Sequence, residues 1–151
     1  MALHPRAGKP ATNTDLINIP HLISAYYTLS PNVSEPTQAV TFGTSGHRGS
    51  ALNTSFNDAH IAAIAQALAE YRVAEKITGP CFIGIDTHAL SVPTLHTTLE
   101  VLIANNVSVV LQANGDYTPT PVISRMILQH NAQQSDLADG VVITPSHNPP
   151  Q

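Results

Sequence analysis

Apolar residues along this chain recur in two rhythms, one close to helical and one continuous over short runs. Residues 1 to about 17 are polar and follow neither. Leu22, Ile23, Tyr26, Tyr27 and Leu29 then share one side of a short helix. Asn18 can cap it, with Pro20 in the first turn, where a missing N–H has no intrahelical partner to lose. Ser30 to Gln38, with Pro31 and Pro36, reads as a linker. From Ala39 the pattern is regular. Ala39-Val40-Thr41-Phe42 is a first short strand, followed by a glycine-rich loop over residues 43–50. Ile61, Ile64, Ala65, Leu68 and Tyr71, three and four residues apart, predict a helix from an Asn57 cap to Ala74. Cys81 to Ile85 is a second strand. Ser91 caps a further helix with Leu95, Leu99, Leu102 and Ile103 on its apolar face. Val107 to Leu111 is a third strand, and a helix from Thr120 to His130 carries Val122, Ile123, Met126 and Ile127. Gly140 precedes the fourth strand, Val141-Val142-Ile143, and the chain then enters a proline-bounded loop.

Continuously apolar strands belong to sheets covered on both faces, and repeated strand–loop–helix units build such sheets largely parallel, with right-handed crossovers. The expected fold is therefore α/β: a mostly parallel mixed sheet with helices on both faces, forming a single domain. Residues 1–38 form an arm, short helix and linker; residues 39–151 form the α/β domain. In open α/β sheets ligands bind beyond the carboxyl ends of the strands. The loops at 43–50, 86–91, 113–119 and 144–150 should then gather along one edge.

Composition narrows the function. With 42% apolar residues the chain has material for a core, and a net charge of −4 with six Lys and Arg argues against a nucleic-acid surface. No run approaches the ~20 apolar residues of a membrane span. The single cysteine, Cys81, opens an apolar run and reads as buried and inert; with no disulfide framework, the chain fits a reducing, cytoplasmic setting.

Chemistry collects in the loops. Gly43-Thr44-Ser45-Gly46-His47-Arg48-Gly49 has three glycines at three-residue spacing, two hydroxyls and a guanidinium. Glycines let backbone N–H groups turn toward an anion, and Arg clamps phosphate in a bidentate manner. The loop matches neither the P-loop nor the dinucleotide fingerprint, and a flexible turn with a solvated Arg is the plain alternative. In Thr144-Pro145-Ser146-His147-Asn148-Pro149 one hydroxyl stands in a stiff loop. A hydrolase nucleophile would need a base in reach and a permissive turn, but Pro145 precedes Ser146 and His147 is merely adjacent. A metal site of His47, His88 and His147 lacks ligand spacing. A serine that carries a phosphoryl group, its charge met by Arg48 and a divalent ion, and a serine that only caps a turn both remain open. Asp86 and Asp116 end strands at the same edge and could bind Mg²⁺, cap turns or hold Arg48.

The hexapeptide Thr144 to Pro149 resembles the phosphoserine loop of the α-D-phosphohexomutases, and Thr41-Phe42-Gly43-Thr44-Ser45-Gly46-His47-Arg48-Gly49 resembles the first active-site loop of that family. The likeness runs along essentially the whole chain, through Gly84-x-Asp86-Thr87-His88, and is greatest to the family's glucose-specific branch. It implies that Ser146 carries a phosphoryl group, donates it to a hexose monophosphate and recovers it from the bisphosphate. The net change interconverts glucose 1-phosphate and glucose 6-phosphate, with Mg²⁺ as cofactor and glucose 1,6-bisphosphate as activator and intermediate. Ser146, His147 and Arg48 would be catalytic. Thr44 and Ser45 would line the phosphate pocket with Arg48 and Ser146, and Mg²⁺ would meet Ser146 through its phosphate.

Two features depart from the family. His88 stands where members carry an Arg. The family's Asp-rich metal loop, sugar-reading loop and second phosphate loop are absent from these residues. The expectation is an incomplete first domain, inactive by itself, whose partners are the hexose phosphate and the later domains, with an exposed apolar patch beside the fourth strand. A non-catalytic phosphate-binding fragment, or a mutase for mannose or glucosamine phosphates, are the competing readings.

Overall fold

β1 (Cys81–Ile85) is the central strand, and all five of its residues are buried. It pairs in parallel with β2 (Val109–Val110) on one side and β3 (Asp139–Ile143) on the other, giving the order β2-β1-β3. The computed structural model describes residues 5–43 and 45–145. Its helices are α1 (Ile19–Thr28), α2 (Asp58–Ala74), α3 (Ser91–Ala104) and α4 (Thr120–Gln133).

Because side chains alternate across a strand, β1 feeds two cores at once. Cys81, Ile83 and Ile85 face α2 and α3, where Ala69, Leu95, Leu102 and Ile143 close the larger cluster. Phe82 faces α4 with Ile123 and Ala138. The second face works because the sheet has glycines under α4. A Cβ on Gly84 would lie 2.8 Å from Ile123 Cγ1 and 2.9 Å from the Thr118 carbonyl; one on Gly140 would lie 2.6 Å from the Phe82 carbonyl. Helix and sheet therefore approach with no side chain between them at these points.

A third cluster docks α1 on the domain. Leu22 and Tyr26 pack with Ala51, Ile61 and Leu90. The Tyr26 hydroxyl, wholly buried, donates to Thr97 Oγ1 at 2.9 Å, and Thr97 donates to Asp58 Oδ1 at 2.7 Å, so one polar chain joins α1, α3 and α2. Buried Asn57, just before α2, donates from Nδ2 to the carbonyls of Ala25 (2.8 Å) and Ala51 (3.2 Å). Arg72, 3% exposed, pairs with Asp139 and donates to the Gly79 carbonyl, tying the end of α2 to the start of β3.

The α/β architecture with helices on both faces is the one the pattern predicts, with four differences in detail. Ala39–Phe42 is not a strand of the described sheet: Phe42 makes only an isolated antiparallel bridge to His47 and is 60% exposed. The turn that closes this bridge, Gly43 N–H to the Gly46 carbonyl at 3.0 Å, folds the segment back on its own loop. The third strand is shorter than expected, because Val107 closes the end of α3 through its N–H to the Leu102 carbonyl at 2.9 Å. Ser91 is the first residue of α3 rather than its cap; Leu90 holds the cap position, and the Ser91 hydroxyl goes to Asp86. Tyr71, Ile103 and Val122 lie exposed although they share helical faces with core residues.

Candidate functional site

The loop over residues 43–50 is built on the turn that leads into α2. The His47 ring fastens it at both ends: Nε2–H donates to the Ser55 carbonyl at 2.7 Å, and Nδ1 accepts the Thr41 N–H at 3.1 Å. The ring stacks between Phe56 (centroids 6.1 Å apart) and His60 (5.6 Å). His60, 2% exposed, is held in the same manner, accepting the Asn57 N–H and donating to the Gln38 carbonyl at 2.7 Å. These imidazoles are staples. Gly49 passes so close to the Ser55 carbonyl that a Cβ would sit 2.0 Å from its oxygen, so no other residue fits there. Gly43 and Gly46, by contrast, meet no described side chain where a Cβ would project.

At the end of β1 the Asp86 carboxylate accepts the His88 N–H at 2.9 Å and the Ser91 hydroxyl at 2.6 Å, both on Oδ1. Partial burial pushes this carboxyl up. The hydrogen bonds from Ser91, from the His88 N–H and from Thr144 outweigh it, and the carboxyl sits below its ordinary value. The Leu90 N–H donates to His88 Nδ1 at 3.2 Å, which places that ring's proton on Nε2.

A groove of about 980 Å³ runs between these loops. Ser45, Arg48, His88, Thr144 and Pro145 line its polar part; Ile61, Ile64 and Leu68 of α2 and Val141 of β3 line its apolar part. The edge of β3 turned away from β1 borders it, and no described strand pairs there. The apolar wall beside the fourth strand is half-buried rather than exposed: Ile64, Leu68 and Val141 are partly covered and Ile61 is buried. Arg48 is exposed and makes no hydrogen bond or ion pair with the described residues.

The structure thus brings together Ser45, Arg48 and the approach to Ser146, as the edge argument requires. Thr44, Ser146 and His147 lie outside the described residues. Asp116 and its loop do not line the groove, although Thr118 N–H reaches the Ile85 carbonyl at 3.0 Å. The metal-site reading loses His47, whose two ring nitrogens hold backbone groups, and no cluster of three or more His, Cys, Asp or Glu suited to a metal occurs among the described residues. Asp86 was open to three roles in the sequence; here it caps a turn. Of its partners, Ser91 reads in the sequence as a helix cap and Thr144 as the start of the Thr144–Pro149 hexapeptide, and neither pattern signals a link to Asp86.

The class that fold and site define is a parallel α/β domain in which a glycine-and-arginine loop shares a groove with Thr144 and Pro145 at the end of β3. Residues 39–151 match the phosphoglucomutase/phosphomannomutase family, alpha/beta/alpha domain I, and the chain belongs to that family. It is 60% identical over 151 residues to a phosphoglucomutase of Komagataeibacter xylinus, an alignment that covers 99% of this chain and 27% of that protein. The chain spans about a quarter of the length of this curated relative.

Proposed function

We propose that this chain is the phosphoryl-carrying domain of a phosphoglucomutase, with Ser146 as the carrier. The observation that carries the reading is the groove: Arg48, without a described partner, shares its wall with Ser45, Thr144 and Pro145. In the forward step a hydroxyl oxygen of glucose 1-phosphate attacks the Ser146 phosphorus. The bond from phosphorus to Ser146 Oγ breaks, and the bisphosphate returns its other phosphoryl group to the serine after reorienting. Such transfer depends on positioning and charge compensation more than on covalent chemistry. Arg48 meets the phosphate charge, Thr44 and Ser45 line the pocket, and His147 acts beside the reacting group.

Mg²⁺ belongs to this reading, with the Ser146 phosphate as one ligand. The described residues do not by themselves form its site, since Asp86 is engaged by Ser91, His88 and Thr144 and no acidic cluster accompanies it. Its carboxylate ligands, like the parts that read the sugar, would come from later domains. Two measurements test the proposal. With the later domains present, incubation with glucose 1,6-bisphosphate and Mg²⁺ should add a phosphoryl group at Ser146, seen by intact mass and peptide mapping, and Arg48→Ala should slow the loading. A phosphoryl group found at any other residue, or loading indifferent to Arg48, would sink it. Sustained turnover of glucose 1-phosphate by the 151-residue chain would refute the need for later domains.

A further inference from the structure

Arg48 is exposed and makes no hydrogen bond or ion pair with the described residues, yet the backbone that carries it is clamped on both sides. On one side stands His47. The Ser55 carbonyl, 2.7 Å from Nε2, can only accept, so the ring's proton is on Nε2. Nδ1 of the neutral ring then accepts the Thr41 N–H at 3.1 Å. One imidazole thus joins the chain entering the loop to the chain leaving it. The backbone of the same segment is closed by the Phe42–His47 bridge and by the Gly43 N–H, which donates to the Gly46 carbonyl at 3.0 Å. On the other side Gly49 lies against Ser55, where a Cβ would sit 2.0 Å from the carbonyl oxygen, and the Ser50 N–H donates to Ser55 Oγ at 3.0 Å. The His47 ring is itself held in place. It stacks between Phe56 and His60, and His60 is anchored to the Asn57 N–H and the Gln38 carbonyl.

We propose that His47 is a positioning residue for Arg48: its ring fixes the backbone from which the guanidinium reaches into the groove, before any phosphate arrives. A cation on a fixed stem loses less freedom on meeting an anion than one on a mobile turn, and its charge is already aimed. The consequence for phosphoryl transfer rests on the carrier reading above, whereas the fastening stands on the geometry alone.

The fastening is read by residue-resolved amide hydrogen exchange in the 151-residue chain, comparing wild type, His47→Ala and His47→Gln. In His47→Ala the Thr41 and Gly43 amides should exchange about tenfold faster or more, the scale of one or two lost hydrogen bonds, while Ile83 and Leu102 keep their protection. Unchanged exchange at Thr41 and Gly43 in a folded His47→Ala chain would overturn the proposal. If His47→Ala does not fold, His47→Gln decides. Its amide reaches the place of Nε2 and donates to Ser55, but it leaves the Thr41 N–H without an acceptor, so Thr41 should quicken; a Thr41 amide as slow as in wild type overturns the proposal there too. A second arm follows loading of Ser146 from glucose 1,6-bisphosphate with Mg²⁺, the later domains present, in wild type, His47→Ala, Arg48→Ala and the double variant. His47→Ala should slow loading about tenfold where Arg48 is present and less than about twofold in the Arg48→Ala background, because a positioning ring acts only through the group it positions. Equal slowing in both backgrounds, the result expected of a ring that merely stabilises the fold, overturns it. His47→Gln should recover part of the rate lost in His47→Ala, and no recovery counts against positioning. A wild type that fails to load, or loads at the same rate as Arg48→Ala, counts against the carrier reading instead, and the exchange data still decide the fastening.

Discussion

Arg72 illustrates how one side chain can matter to the fold while looking ordinary in the sequence. It falls in the last turn of α2, where a cation suits the helix dipole and is commonly solvated. Here it is buried and paired with Asp139, 67 residues further along. Removing Arg72 leaves the half-buried Asp139 and the Gly79 carbonyl without their partner, so Arg72→Ala should cost about 1–3 kcal/mol, read as a lower denaturant midpoint. Cys81 lies close by. Burial, then the Asp139 charge, pushes its thiol up to about 12, so it should resist alkylation at pH 8 in the folded chain and react once unfolded. Asp86 gives a pH dependence whose sign follows from its partners. Its folded carboxyl lies below the ordinary 3.8, so its contribution is complete above that value and is lost as pH falls through the folded one. Acid titration followed by the Asp86 and Thr144 amide signals should show the exit from β3 loosening only below about pH 4.

At the scale of elements, the long helices and buried strands were legible because their periodicity is strong: α2 begins and ends where the spacing of Ile61, Ile64, Ala65 and Leu68 places it. Ala39–Phe42 was not, because a four-residue apolar run needs a neighbouring strand and the described sheet offers none. The closeness of α4 to the sheet was equally hidden. Glycine inside a strand ordinarily weakens it, yet the value of Gly84 lies in the space it leaves for Ile123 and the Thr118 carbonyl. Gly84→Ala should therefore destabilise by about 1–3 kcal/mol in thermal or chemical melts, since the Thr118 backbone cannot move aside. Docking of α1 through Tyr26, Thr97 and Asp58 likewise joins three distant stretches, and no local pattern announces it.

The whole molecule presents a groove with a polar end and an apolar end, bordered by an edge of β3 that no described strand covers. Exposed sheet edges beside apolar surface promote association. Sedimentation at increasing concentration should show self-association, and Val141→Lys, which puts a charge on the groove wall, should reduce it. A strictly monomeric wild type would count against this account. The sequence by itself determined the α/β class, the alternation of elements, the inertness of Cys81 and the loops in which phosphate chemistry would collect, because periodicity, turn residues and loop composition are local properties of the chain. Only the tertiary structure decided that His47 and His60 are staples, that Asp116 stays out of the groove and that Asp86 links β1, α3 and Thr144. Those roles depend on which groups meet across 58 residues, as Asp86 and Thr144 do, and such meetings arise from packing between elements rather than from any one of them.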